Sequence, residues 1–130
     1  MPSHFITDEL LDALAQRESR NDPYAVGDKE LKHPAYGAYQ MRQPAFLDVQ
    51  SFRPEATEGI TDLSAILGQP DQQRTLARAY LEMLNQRYGF KTIEDVLAGY
   101  NAGPTAVRKK KVPTATQAYV AEILKMMETP

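Results

Sequence analysis

Glu18, with Ser19 directly after it, closes an apolar run that begins at Leu10. Apolar surroundings raise a carboxyl pKa, and the C-terminal end of a helix also disfavours negative charge. Both effects push Glu18 toward its protonated form. Breaking a glycosidic bond needs such an acid, because a poor leaving oxygen must take up a proton while positive charge builds at the anomeric carbon. Read alone, Glu18 is a solvated helix-end acid, the usual fate of a glutamate. Three later segments change that reading: Gly37-Ala38-Tyr39-Gln40-Met41, Gly99-Tyr100-Asn101-Ala102-Gly103-Pro104 and Tyr119-Val120. Each has a plain structural reading of its own. The first is a turn entering a buried helix, the second a core aromatic ahead of a Gly-Pro helix stop, and the third core packing with one satisfied hydroxyl.

The elements that must position these residues are helical. Leu10, Leu11, Leu14 and Ala15 recur at helical spacing behind Thr7, which can cap a helix, with Asp8 and Glu9 against the positive end of its dipole. A helix over about Thr7 to Arg17 follows. From Ser19 to Tyr36 apolar periodicity disappears and Asn, Asp, Pro, Gly and Lys accumulate, which predicts a long loop packed against whatever Glu18 faces. A short helix is expected within Gln40 to Val49, near Pro44. Pro54 to Leu67 carries a partial helical stripe of Ile60, Leu63, Ile66 and Leu67, ended by Gly68-Gln69-Pro70. Asp71 is expected to cap a helix bearing Leu76, Ala79, Tyr80, Met83 and Arg87, stopped by Gly89. Thr92 with Asp95, and Thr114 with Gln117, predict capping boxes for two more helices, the last with Tyr119, Val120, Ile123, Leu124 and Met127 on one face. Alternating strand patterns are nearly absent, so the expected fold is mainly α, with a small sheet at most.

Composition narrows the function classes. A chain of 130 residues with 42% apolar content suits one compact domain, residues 1–130. Its 17 acidic and 15 basic residues are dispersed, giving a net charge of −2 and no global field for nucleic acid. The absence of cysteine excludes disulfides and thiolate chemistry while leaving the redox compartment open. Only His4 and His33 are present, far apart in sequence, so neither a metal site nor a cofactor is expected. No apolar stretch approaches a membrane span, and the chain is expected to be soluble and monomeric. Arg108-Lys109-Lys110-Lys111 is a basic run between helices and reads first as a solvated loop.

Taken in series, the Glu-Ser, the Gly-x-x-Gln-Met, the Tyr-Asn-Ala-Gly-Pro and the Tyr-Val resemble the catalytic domain of soluble lytic transglycosylases and goose-type lysozymes, from about Leu10 to Met127. The resemblance implies a lysozyme-like fold and a muramidase acting on the glycan strands of bacterial peptidoglycan. It casts Glu18 as general acid and base, with Ser19 sharing its pocket. It puts Gln40 beside the cleavage point, flanked by Tyr39 and Met41. It sets the Tyr100 hydroxyl close to the catalytic carboxyl, with Asn101 shaping the site and Tyr119 in contact with sugar. Where the family has Leu-Met, this chain has Ala38-Tyr39, which is expected to add a ring and a hydroxyl to the cleft wall.

The second carboxylate decides the reaction. Transglycosylases need none, because the sugar's own groups assist and its 6-hydroxyl closes an anhydro ring, whereas a hydrolase needs a positioned water. Gly27-Asp28 ahead of Gly37 resembles the Gly-Asp of goose-type lysozymes, across a stretch lengthened at Lys29 to Tyr36. Asp28 is therefore the candidate second acid, and as a loop aspartate it also reads as a turn cap. Transglycosylase chemistry is preferred, with hydrolysis as its rival. A noncatalytic module using Arg108 to Lys111 on an anionic partner is the third reading. Met1-Pro2-Ser3-His4 has no secretory leader pattern. Action at the cell wall or periplasm would then require phage delivery, a secretion machine or a trimmed leader.

Overall fold

The structure, a computed structural model, describes residues 4–128. Helix α1 (Asp8–Ser19) starts where Thr7 Oγ1 accepts from Leu10 N at 3.2 Å. Its apolar stripe of Leu10, Leu11, Leu14 and Ala15 is buried. It ends abruptly, because Arg20 and Asn21 both adopt left-handed backbone and return their N–H groups to Gln16 O and Ala15 O, each at 3.0 Å. Glu18 therefore sits inside the last turn of α1.

The stretch expected as loop after α1 contains a two-stranded antiparallel hairpin, β1 (Val26–Gly27) and β2 (Ala35–Tyr36), with Val26 opposite Tyr36. Two-residue strands leave no alternation for a sequence pattern to reveal. Tyr36 and Met41 then exchange backbone hydrogen bonds (2.8 and 3.1 Å) and pinch Gly37 to Gln40 into a tight turn. Gly37 lies at φ +80, and a Cβ there would meet the Gln73 amide at 2.6 Å. The turn therefore requires glycine on both conformational and steric grounds.

Helix α2 (Gln43–Phe52) follows, with Pro44 in its first turn. The partial stripe of 54–67 resolves into two 3-10 turns, Pro54–Thr57 and Leu63–Ile66, the second capped by Asp62 onto Ser64 N at 2.8 Å. Helix α3 (Pro70–Gln86) is the centre of the molecule. Leu76, Ala77, Ala79, Tyr80, Leu81, Met83 and Leu84 are all buried, so it meets neighbours on several sides. Asp71 does not cap it: Gln69 occupies the cap position and Pro70 opens the helix, leaving Asp71 as a first-turn acid. Helix α4 (Ile93–Ala102) has its expected cap, Thr92 Oγ1 accepting from Asp95 N at 3.1 Å. A Cβ on Gly99 would stand 3.0 Å from the Phe90 ring and 3.3 Å from Leu84, and its absence lets α4 lie close to α3. Short α5 (Pro104–Arg108) and α6 (Thr114–Glu128) complete the chain. Thr114 is the first helical residue of α6 and not its cap. Pro113 O accepts from Gln117 N at 3.0 Å instead, and the Gln117 amide turns back to Val112 O. Helix α6 packs against both α1 and α4, which brings the third motif to the first and second.

Candidate active site

The turn after β2, the last turn of α1 and the C-terminal half of α4 enclose a cleft of about 450 Å³. Glu18, Asp28, Gln40, Met41, Tyr100 and Asn101 all line it. Six of the nine residues singled out in the sequence thus meet at one concavity. The other three, Ser19, Tyr39 and Tyr119, stand behind its wall.

Glu18 is partly buried, and the removal of water raises its pKa above the ordinary glutamate value. Three weaker effects oppose that rise: a hydrogen bond from Tyr119, then the positive charges of Arg17 and Arg42. The Tyr119 hydroxyl donates to Glu18 Oε2 at 2.5 Å. Tyr119 is only 2% exposed, and its own hydroxyl is held strongly protonated by burial and by the adjacent carboxyl. It therefore donates to the Glu18 carboxylate and supports it from within the core. The expected neighbour of the carboxyl, Tyr100, sends its hydroxyl to Tyr39 O at 2.6 Å. Tyr100 reaches the cleft with its ring, which packs edge-on against Tyr80 with centroids 5.5 Å apart. Tyr119 on α6 thus makes the phenol-to-carboxyl hydrogen bond, while Tyr100 on α4 stands near Glu18 with its hydroxyl turned to the backbone.

Gln40 takes a left-handed backbone at φ 51. Its Nε2 donates to Gly37 O at 2.9 Å, closing the turn. A Cβ on Gly27 would fall 2.3 Å from Gln40 Oε1, so the bare backbone of β1 is the bed on which this amide lies. Tyr39 is 4% exposed and faces away from the cleft among Leu63, Ile66 and Leu76. Its hydroxyl accepts from Arg74 Nη1 at 3.0 Å. The expected extra ring on the cleft wall is thus absent, since a side chain this large is better buried against α3. Ser19 likewise works as a brace: its hydroxyl donates to Ala38 O at 2.7 Å and accepts from Asp22 N at 2.9 Å, tying α1 to the turn. Asn101 Oδ1 accepts from Thr116 Oγ1 at 2.6 Å, which fixes its amide relative to α6.

Sequence reasoning passed over three contributors. Buried Gln73 accepts from Ala38 N at 2.9 Å and donates to Pro23 O and Ile66 O at 2.9 and 2.8 Å, locking the motif turn onto α3. Thr116 orients Asn101. Arg42 donates to Asp28 Oδ2 and, at 2.6 Å, to His33 O, so it closes the lengthened hairpin loop and places a basic side chain on the cleft wall. A single Arg or Gln with partners far along the chain carries no local signal. Among the described residues no group of three His, Cys, Asp or Glu is gathered as metal ligands, and no helix is long and apolar enough to cross a membrane.

This arrangement has a desolvated carboxyl at the base of an open cleft, backed by a phenol and faced by amides, and it belongs to a lysozyme-like glycan-cleaving class. The model of the transglycosylase SLT domain family matches residues 4–122, and the chain belongs to that family. Comparison with curated proteins gives no match. Membership carries lytic transglycosylase-type cleavage of peptidoglycan as the general activity, and the cell wall as the place of action.

Proposed function

We propose that the chain, as one catalytic domain, cleaves the β-1,4 bond between N-acetylmuramic acid and N-acetylglucosamine without water, leaving a 1,6-anhydromuramic end. Glu18 first gives its proton to the glycosidic oxygen as charge builds at the muramic C1. The acetamido group of the same sugar assists this departure. The resulting Glu18 carboxylate then takes the proton of the sugar's 6-hydroxyl, whose oxygen bonds to C1 and closes the ring. Glu18 ends protonated, ready for another cycle. Gln40, Met41, Tyr100 and Asn101 are assigned to sugar contact, and Ser19, Tyr39 and Tyr119 to support of the wall.

The observation that carries this reading is the contrast between the two carboxyls of the cleft. Glu18 is desolvated and biased toward its acid form, as a proton donor must be. Asp28 is half exposed and paired with Arg42. A carboxylate already committed to a guanidinium is poorly disposed to hold a nucleophilic water, which favours attack by the sugar's own hydroxyl.

Mass spectrometry of soluble products from purified peptidoglycan tests this, with Glu18→Gln as control. Anhydro-ended muropeptides, one water lighter than hydrolysed ones and lost in Glu18→Gln, are expected. Reducing ends would assign hydrolysis with Asp28 guiding water. No products from the unaltered chain would point to a binding module.

A further inference from the structure

Arg17 immediately precedes Glu18, yet its side chain leaves the cleft and crosses to α6. Its Cζ lies 5.1 Å from the centroid of the Tyr119 ring, and its Nε, buried and without an aligned hydrogen-bond acceptor, lies 2.6 Å from Glu122 Oε2 as an ion contact. Tyr119 and Glu122 are three residues apart on α6 and so share a face. One guanidinium therefore grips the phenol that donates to Glu18 by its ring face and, through Glu122, the helix that carries it. Arg17 and Glu122 remain 37% and 52% exposed, while the tyrosine between Arg17 and the carboxyl is buried. The pair thus lies at the surface, with its charge close to the partly buried acid.

We propose that Arg17 and Glu122 are positioning residues that act as a charge clamp beside the Tyr119–Glu18 hydrogen bond, their balance setting the pH at which Glu18 surrenders its proton. This rests on the reading of Glu18 as the acid. Arg17 stabilises the Glu18 carboxylate, and Glu122 offsets part of that field by pairing with Arg17. The other groups facing Glu18 are Tyr119 from α6, Tyr100 from α4, and the mutually paired Arg42 and Asp28 from the hairpin loop and the start of α2. Substitutions at positions 17 and 122 leave all four unchanged in type, so the two variants isolate the clamp.

The signs are opposite. Removing the positive charge in Arg17→Met destabilises the carboxylate, so Glu18 keeps its proton to higher pH and the high-pH limb of kcat/KM moves up. Removing the negative charge in Glu122→Gln leaves Arg17 uncompensated, and the limb moves down. Each shift is expected to be about half a pH unit, in keeping with a partly exposed pair. Both should shrink as salt rises from low to about 1 M, where screening acts within about 3 Å.

The experiment is the pH profile of kcat/KM for peptidoglycan solubilisation by the unaltered chain, Arg17→Met, Glu122→Gln and Glu18→Gln, at low and high salt. Opposite displacement of the limb in the two clamp variants, reduced by salt, supports the inference. Limbs that stay in place, or move the same way, overturn it, even where turnover falls. Should Arg17→Met fail to fold, Glu122→Gln at its half-exposed site carries the test alone, and a limb that does not move down is the refuting result. Full activity in Glu18→Gln would instead sink the reading of Glu18 itself, so the two failures are distinguishable.

Discussion

At the residue scale, the site depends on how one carboxyl is held between two opposing tendencies. Burial favours its acid form, whereas the phenol of Tyr119 favours its ionised form, and a group that must act as acid and then as base needs both. Tyr119→Phe removes the donor without removing the ring. The Glu18 carboxylate is then less stable, so the high-pH limb of activity moves upward. Turnover near neutrality should fall about tenfold as the acid step, which generates that carboxylate, loses a hydrogen bond to a charged group. A pH profile of peptidoglycan clearing checks both, and a downward shift of the limb would contradict the assigned direction of the hydrogen bond. Gly27→Ala probes the other side of the cleft. The new methyl would stand 2.3 Å from Gln40 Oε1, the far end of a flexible chain, so the amide should be displaced at a stability cost below about 1 kcal/mol. The expected result is a several-fold loss of kcat/KM with a nearly unchanged thermal midpoint. A large loss of stability would mean that Gln40 is fixed more firmly than its position suggests.

At the element scale, the motif turn is held by α3 rather than by its own sequence. Gln73 answers one N–H and two carbonyls from three different segments; Gln73→Leu would leave Ala38 N with no partner inside the protein, while Pro23 O and Ile66 O would keep only Gly68 N and Gln69 N. Buried unsatisfied groups cost about 1–3 kcal/mol each, partly relieved by relaxation. The variant should therefore lose about 2 kcal/mol in denaturant unfolding, most of it from Ala38 N, and its activity should fall with the loosened turn. A loss below about 1 kcal/mol would show that water replaces the amide. This dependence also explains what was legible beforehand. The Thr7 and Thr92 caps, the buried stripe of α1 and the bulk of α3 follow from local spacing. The β1–β2 hairpin was read as loop because its strands are two residues long. Tyr39 was expected at the cleft and lies on the other side of the turn, next to the left-handed Gln40, whose backbone conformation a non-glycine residue does not advertise. That Tyr119 and not Tyr100 makes the hydrogen bond to Glu18 depends on how α6 packs against α1 and α4, and no spacing within either helix encodes it.

At the scale of the whole molecule, a carboxyl biased by burial toward its protonated form makes stability and catalysis compete. The folded-state pKa of Glu18 is raised by burial above the ordinary 4.5. Folding therefore favours the bound proton, a contribution fully present below about pH 4.5 and lost as pH rises through the folded-state value. At neutral and alkaline pH the chain bears the cost of an ionised carboxyl in a desolvated site. Glu18→Gln keeps the shape and the capacity to accept from Tyr119 but carries no charge. It should therefore be catalytically dead and yet more stable at pH 8, by about 1 kcal/mol or a few degrees of thermal midpoint. Near pH 4, where the native carboxyl is protonated in both folded and unfolded chains, the gain should vanish. Thermal melts of both proteins from pH 4 to pH 8 test this linkage. A gain that is equal at both ends would assign it to packing rather than charge. A loss at pH 8 would mean that Tyr119, Arg17 and Arg42 together stabilise the carboxylate by more than burial penalises it, and the acid would then have to be sought elsewhere in the cleft.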